Sequence, residues 1–331
     1  MPTAAPAPDR EIDSRLRRRR SRPPLRVILA APRGFCAGVE RAIQAVEEAL
    51  RRFGPPVYVR RPIVHNRTVM KRLEAKGAIF VRELTEVPQG SVVLFSAHGV
   101  TPAIAEQAAN LSLTAFDAVC PLVSKVHREV IRHHRDGRHI VLIGHSDHPE
   151  VEGTLGQLPR GAISLVHSAG QLADLSLSRS APVAYAIQTT FSIGEAAEVV
   201  DALLERFDDV AAPPGSDICY ATTNRQAALG AIAPEADAVI VAGASFSSNA
   251  NRLAELARNA GCPSVQLVAE AAEIDWDLIG EARTLGLTAA ASTPEESVTE
   301  ILAALSSRFE VAVEERRQLE EKTVFKPLKF A

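Results

Sequence analysis

Residues 27–50 read VILAAPRGFCAGVERAIQAVEEAL. Val27 to Ala31 is a short apolar run of the kind that makes a buried strand, and Val39, Ile43, Val46 and Leu50 then recur at helical spacing. Cys36 sits between the two, at the start of the predicted helix. The unpaired backbone N–H groups of a helix N-terminus and the positive end of its dipole favour a thiolate over a thiol. The thiolate is the metal-binding and nucleophilic form. Gly34 and Gly38 permit close backbone approach around it.

The same order recurs twice further along. Cys120 follows Ala115-Phe116-Asp117-Ala118-Val119 and Cys219 follows Gly215-Ser216-Asp217-Ile218, each ahead of a helical pattern. The spacings of 84 and then 99 residues match the size of a small α/β unit. Strands are predicted at 57–59, 78–81, 91–96, 113–118, 139–143, 163–166, 183–187, 238–242 and 264–268. Helices are predicted at 67–76, 103–110, 123–136, 193–207, 224–232 and 249–259. Such alternation is the signature of parallel sheet covered by helices, so the class is α/β. The economical arrangement is three similar modules around a centre, each delivering one cysteine to it. The fourth cysteine, Cys262, lies between Gly261 and Pro263 and reads as a packing residue in a turn.

Composition sets the outer limits. With 46% apolar and 23% charged residues over 331 positions, the chain can build two or three cores. No apolar run reaches the roughly 18 to 20 residues of a membrane span, and the start lacks the apolar core of a secretory signal. A cytoplasmic protein with no membrane partner is expected. Residues 1–26 hold eight Arg and three acids, including Arg17 to Arg20 in a row, and form a basic arm expected to be solvated and disordered. No nucleic-acid partner is expected. Four cysteines without a C-x-x-C pair argue against a disulfide scaffold and against a local metal motif.

Polar residues gather where the predicted strands end, which is where open α/β sheets collect ligands. His65 and His98 follow two such strands, and a pair of histidines at equivalent ends suits an anion. His148 and Glu150 follow a third. A Glu held between apolar neighbours beside a His can keep a pKa near neutrality and pass protons. Thr189 closes another strand, and Ser247, Ser248, Asn249 and Ser292 stand at predicted helix starts, where backbone N–H groups and hydroxyls converge on phosphate. Neither G-x-x-x-x-G-K-[ST] nor G-x-G-x-x-G occurs, which disfavours nucleoside triphosphates and dinucleotides. Three converging thiolates suit zinc or an iron–sulfur cluster. A cubane held by three cysteines would leave one iron open to substrate.

With these residues in view, the chain resembles the 4-hydroxy-3-methylbut-2-enyl diphosphate reductase family, known as IspH or LytB. The matching stretches are PRGFCAGVERAI, VHN, FSAHGV, DAVCPLVSKVH, HPEVEGTLGQ, QTT, DICYATTNRQ and SSNANRLAELA, in family order from about Val27 to about Leu305. The resemblance implies a pseudo-threefold cloverleaf of α/β modules at 38–120, 121–215 and 216–305. The strand and cysteine loop at 27–37 would pack with the third module, and a charged tail would occupy 306–331. It implies a 4Fe-4S cluster on Cys36, Cys120 and Cys219 whose open iron takes the substrate oxygen. The diphosphate would lie among His65, His98, Ser247, Asn249 and Ser292, with His148 and Ser248 beside it. Glu150 would deliver the proton, with Thr189 near the substrate hydroxyl. Reductive loss of that hydroxyl gives isopentenyl and dimethylallyl diphosphate, the last step of the methylerythritol phosphate route, with ferredoxin or flavodoxin as electron donor. A diverged enzyme for another allylic diphosphate and a non-enzymatic redox sensor are the competing expectations. Two positions depart from the family pattern: Phe246 replaces a polar residue beside the diphosphate pocket, and Ala290 stands in place of Gly.

Overall fold

The structure is a computed structural model that describes residues 22–330. Most of the expected basic arm, residues 1–21, lies outside the described residues. Its last part does not behave as an arm, because Pro24 to Arg26 open the first strand, β1 (Pro24–Ala31). Leu25 is buried there, and the parallel ladder holds the flanking polar residues.

In chain order the first module contains α1 (Ala37–Phe53), β2 (Val57–Arg60), α2 (Arg67–Ala75), β3 (Ala78–Val81), β4 (Val92–Phe95), α3 (Pro102–Asn110) and β5 (Thr114–Asp117). The second contains α4 (Pro121–Arg135), β6 (His139–Ile143), α5 (Pro149–Leu155), β7 (Ile163–Val166), β8 (Val183–Ile187), α6 (Ile193–Arg206) and β9 (Val210–Ala211). The third contains α7 (Tyr220–Gly230), β10 (Ala238–Ala242), α8 (Ser248–Asn259), β11 (Ser264–Val268), α9 (Trp276–Ile279), β12 (Thr284–Ala289), α10 (Glu295–Arg308) and β13 (Glu310–Arg317).

All three sheets are parallel. Their strand orders are β3-β2-β4-β5, β7-β6-β8-β9 and β11-β10-β12-β1-β13. The first two share one topology, with the second strand outermost beside the first, then the third and fourth. The third sheet repeats it with β1 inserted between its third and fourth strands. Each sheet is buried on both faces where its central strands run. Val239, Ile240, Val241, Leu285 and Leu287, for example, are fully enclosed, as expected when crossover helices cover a parallel sheet.

Two helices begin earlier than their apolar periodicity predicts. α4 starts at Pro121 and α7 at Tyr220, because Cys120 and Cys219 are themselves the N-cap residues. Proline fits the first helical position of α4, where no N–H is needed. The charged stretch after Ser306, expected only as a tail, instead completes α10 and then forms β13. That strand pairs with β1 in register from Pro24↔Glu310 to Ala31↔Arg317. Its side chains are largely exposed and charged, as suits an edge strand, so its place is held by the backbone ladder and by pairs such as Arg26–Glu314 at 2.7 Å. The chain then crosses without regular structure to the first module. There the buried Phe330 packs on Phe116 with ring centroids 4.7 Å apart.

Candidate active site

The three modules place equivalent residues at one centre. Five residues past the first strand of each sheet stand His65, His148 and Ser247, and three residues past the third strand stand His98, Thr190 and Ser292. Each cysteine N–H donates to the carbonyl two residues past the third strand of one of the sheets, a different sheet for each cysteine. These bonds are Cys36 to Ala291 at 3.2 Å, Cys120 to Ala97 at 2.9 Å and Cys219 to Thr189 at 3.0 Å. The repeat is therefore a backbone repeat, and the side chains on it differ.

Cys36, Cys120 and Cys219 cap the N-termini of α1, α4 and α7 and line one cavity. A Cβ built on Gly38 would lie 2.8 Å from the Cys120 Sγ and 3.8 Å from the Cys36 Sγ, so the bare glycine is what lets two sulfurs approach across the module boundary. The thiolate expected from helix position alone does not prevail in the metal-free chain. Burial pushes Cys120 up to about 12 and Cys219 up to about 11, each also raised by a neighbouring cysteine, and burial raises Cys36 as well. A bound cation is what would hold these sulfurs ionised. Among the described residues no three His, Cys, Asp or Glu side chains close on a point that could hold a single metal ion. Three buried sulfurs at helix N-termini are soft donors of the kind that hold zinc or an iron–sulfur cluster. Cys262 lies apart, packed in the third module with its Sγ 3.3 Å from the Ser264 carbonyl.

Glu150 and Thr189 form the acid end. Glu150 is 2% exposed on α5, and its Oε1 accepts the Thr189 N–H at 2.6 Å while Oε2 accepts the Thr189 hydroxyl at 2.7 Å. Burial raises its pKa to about 7 against the lowering effect of those two bonds. His148 caps α5, its Nδ1 accepting the Glu150 N–H at 3.2 Å. Neutral His148 therefore carries its proton on Nε2, a buried donor with no partner.

The opposite wall is built to receive something polar. The His65 ring centroid lies 4.2 Å from that of His98 and 5.4 Å from that of His148. Burial lowers His65 to about 4 and His148 to about 3, and holds His98 well below its ordinary value, with mutual repulsion adding to the effect at His98 and His148. Both nitrogens of His65 and both side-chain polar atoms of the buried Asn249 lack partners. Buried polar atoms without partners are rare, and here they line one cavity beside the N-terminus of α8, capped by Ser247. Among the described residues the lining contains no Lys or Arg; its larger apolar members are Val39, Val64, Leu122 and Val123.

The profile of the LytB protein family matches residues 27–306. The chain belongs to the LytB family. Among its relatives, a 4-hydroxy-3-methylbut-2-enyl diphosphate reductase of Beijerinckia indica is 52% identical, covering 93% of this chain and 96% of that protein. One of Gluconobacter oxydans, of the same description, is 52% identical over 91% of each chain. A solved structure of the E-1-hydroxy-2-methyl-but-2-enyl-4-diphosphate reductase from Plasmodium falciparum superposes with a TM-score of 0.88 at 37% identity, covering 92% of this chain and 96% of that one. The LytB assignment agrees with the three-sheet α/β architecture described above.

All twelve residues singled out from sequence line this LytB cavity: Cys36, Cys120, Cys219, His65, His98, His148, Glu150, Thr189, Ser247, Ser248, Asn249 and Ser292. They are not equally free. Ser292 donates to the His65 carbonyl at 3.1 Å and so ties the third module to the first. Ser248 accepts from Thr190 at 3.1 Å and so ties the third to the second. Thr190 itself escaped sequence reasoning as a site residue. So did Thr222, whose hydroxyl lies 3.2 Å from the Cys219 Sγ. Of the two departures from the LytB pattern, Ala290 is fully buried in the third module's core, outside the lining. Phe246 stands outside the cavity, 39% exposed, its ring edge-on to His65 at 5.8 Å and under the Arg67 guanidinium at 5.7 Å.

Proposed function

We propose that this LytB-family chain reduces (E)-4-hydroxy-3-methylbut-2-enyl diphosphate to isopentenyl and dimethylallyl diphosphate, closing the methylerythritol phosphate route to isoprenoids. The observation that carries the reading is that one cavity joins three helix-capping cysteines, a buried Glu with a pKa near 7 and a wall of unpartnered His and Asn groups. Cys36, Cys120 and Cys219 would hold a 4Fe-4S cluster. When bound, that cluster would relay the two electrons one at a time from an external carrier and would offer a Lewis-acidic iron.

The chain's own residues then do the rest. His65, His98, His148, Asn249, Ser247, Ser248 and Ser292 bind the diphosphate through neutral donors and the α8 N-terminus, a setting that tightens as the histidines become cationic beside the anion. Val39, Val64, Leu122 and Val123 enclose the five-carbon chain and exclude water. A substrate seated this way turns its hydroxyl toward Thr189 and the cysteines. When Glu150 is protonated near neutral pH, the 2.7 Å contact reverses: Oε2 donates to the Thr189 oxygen and the Thr189 hydroxyl hands its own proton to the departing oxygen, which leaves as water. A second proton ends on carbon, so two electrons and two protons balance the reaction. Electrons come from a ferredoxin- or flavodoxin-type carrier in the cytoplasm. Among the described residues no helix is long and apolar enough to cross a membrane.

Anaerobic turnover of the allylic alcohol diphosphate with a chemical reductant tests the proposal. Formation of the two isomeric products with an iron–sulfur spectrum supports it; a loaded chain that leaves the compound unchanged refutes it.

A further inference from the structure

Arg225, on α7 two turns beyond Cys219, is 1% exposed and spends every N–H. Nε and Nη2 donate to the Gly34 carbonyl at 3.0 and 2.8 Å, and Nη2 also reaches the Phe35 carbonyl at 3.2 Å. Nη1 donates to the Ala221 carbonyl at 3.0 Å and to Glu321 Oε1 at 2.9 Å. Glu321 belongs to the irregular C-terminal segment, and its Oε1 also accepts from Asn224 Nδ2 at 2.9 Å. One turn earlier on the same helix, the Tyr220 hydroxyl accepts the Ala37 N–H at 3.1 Å. The loop carrying Cys36 is therefore gripped on both sides of the cysteine by the helix that Cys219 caps. The grip is completed by a carboxylate from the far end of the chain.

We infer that Arg225 and Glu321 are a positioning pair: the C-terminal segment locks the Cys36 loop to the Cys219 helix and so sets the spacing of two of the three sulfurs. The inference rests on the cluster reading above and extends it to residues that touch no ligand. The chemistry requires the partner. A guanidinium this deeply buried is stable only while its charge is compensated and its donors are filled. Without Glu321, Arg225 is drawn toward solvent and releases the Gly34 and Phe35 carbonyls. A lysine at 225 keeps the charge but cannot bond two carbonyls and a carboxylate at once.

The test compares the full chain with Glu321→Gln, Arg225→Lys and the exposed control Glu320→Gln. Anaerobically loaded proteins are exposed to an iron chelator, and the decay of cluster absorbance is followed. In parallel, cluster-free proteins are labelled with iodoacetamide and the modification of each cysteine is read by mass spectrometry. Glu321→Gln and Arg225→Lys should lose the cluster about tenfold faster or more, in the range seen when groups orienting metal ligands are removed. Cys36 labelling should rise with it while Cys262 labelling does not. The control should match the wild type. Decay and labelling unchanged in both variants, or an equal rise at Cys262 that marks general loosening, would overturn the inference. If the wild-type chain takes up no cluster, the proposed function fails instead. The labelling arm then still decides: a rise confined to Cys36 upholds the pair, and no change removes it.

Discussion

Glu150 takes two hydrogen bonds from a single residue, Thr189, whose N–H and hydroxyl reach its two oxygens at 2.6 and 2.7 Å, while the carbonyl of Thr189 accepts the N–H of Cys219. The acid and one sulfur-bearing helix are therefore fixed by the N–H and the carbonyl of one residue. Glu150→Gln keeps the shape of this arrangement and removes the proton. It should lower turnover about 100-fold or more while iron content stays at the wild-type level. In the wild type, turnover should fall as pH rises past about 7, where burial sets the carboxyl's ionisation. A pH profile of kcat and an iron assay check both.

The same carboxyl links stability to pH. Folded Glu150 keeps its proton up to about 7, whereas unfolded it ionises near 4.5. The folded state thus holds the extra proton between these values. The contribution is fully present below 4.5 and is lost as pH rises through 7, by at most about 3 kcal/mol. Urea unfolding at pH 5 and pH 8 should show a smaller difference for Glu150→Gln than for the wild type.

Binding an anion among His65, His98 and His148 should draw protons from solution, because burial keeps all three neutral in the free protein. Inorganic diphosphate titrated at pH 7 in two buffers of different ionisation heat should reveal net proton uptake and an affinity that weakens as pH rises. Performing this in Glu150→Gln removes the carboxyl's own titration. Zero uptake would show that neutral donors alone bind the anion.

Gly38→Ala puts a methyl 2.8 Å from the Cys120 Sγ, so either α1 or that sulfur must move. The chain should fold, since the added methyl faces a cavity, yet retain little iron and sulfide after anaerobic reconstitution. Wild-type iron and sulfide content in the variant would mean that the sulfur shifts without consequence.

The Phe246 ring lies edge-on to His65 at 5.8 Å without entering the cavity, where it can limit the access of water to the imidazole. Phe246→Ala should admit water and raise the pKa of His65 from about 4 toward its ordinary value, as read by NMR titration of the ring. An unmoved titration would assign the screening to other groups.

Much of this was legible in the sequence for a physical reason. Buried parallel strands are apolar runs, and a residue just past such a run lies at the ligand-binding edge, which is why Glu150, His98 and Thr189 could be chosen before any coordinates. β13 was not legible, because an edge strand with solvated side chains, such as Glu314 and Arg316, looks like a polar tail until its backbone partner is known. The equivalence of Ala97, Thr189 and Ala291 was hidden for a related reason, since it resides in their carbonyls. The ionisation expected for Cys36 was misjudged because helix position is visible in sequence and depth of burial is not. Phe330 and Glu321 reach their partners through a segment with no periodicity to betray them.

The insertion of β1 between β12 and β13 sets an order of events during biosynthesis. The first described strand emerges from the ribosome long before either neighbour exists, so Val27 and Ile28 must wait uncovered while the first two modules fold behind them. Cys36 cannot take its final place until β12 and Ala291, whose carbonyl accepts its N–H, have been made. Any group held jointly by Cys36, Cys120 and Cys219 would therefore be installed only after β12 and β13 have been made, and not while the first two modules are being synthesised.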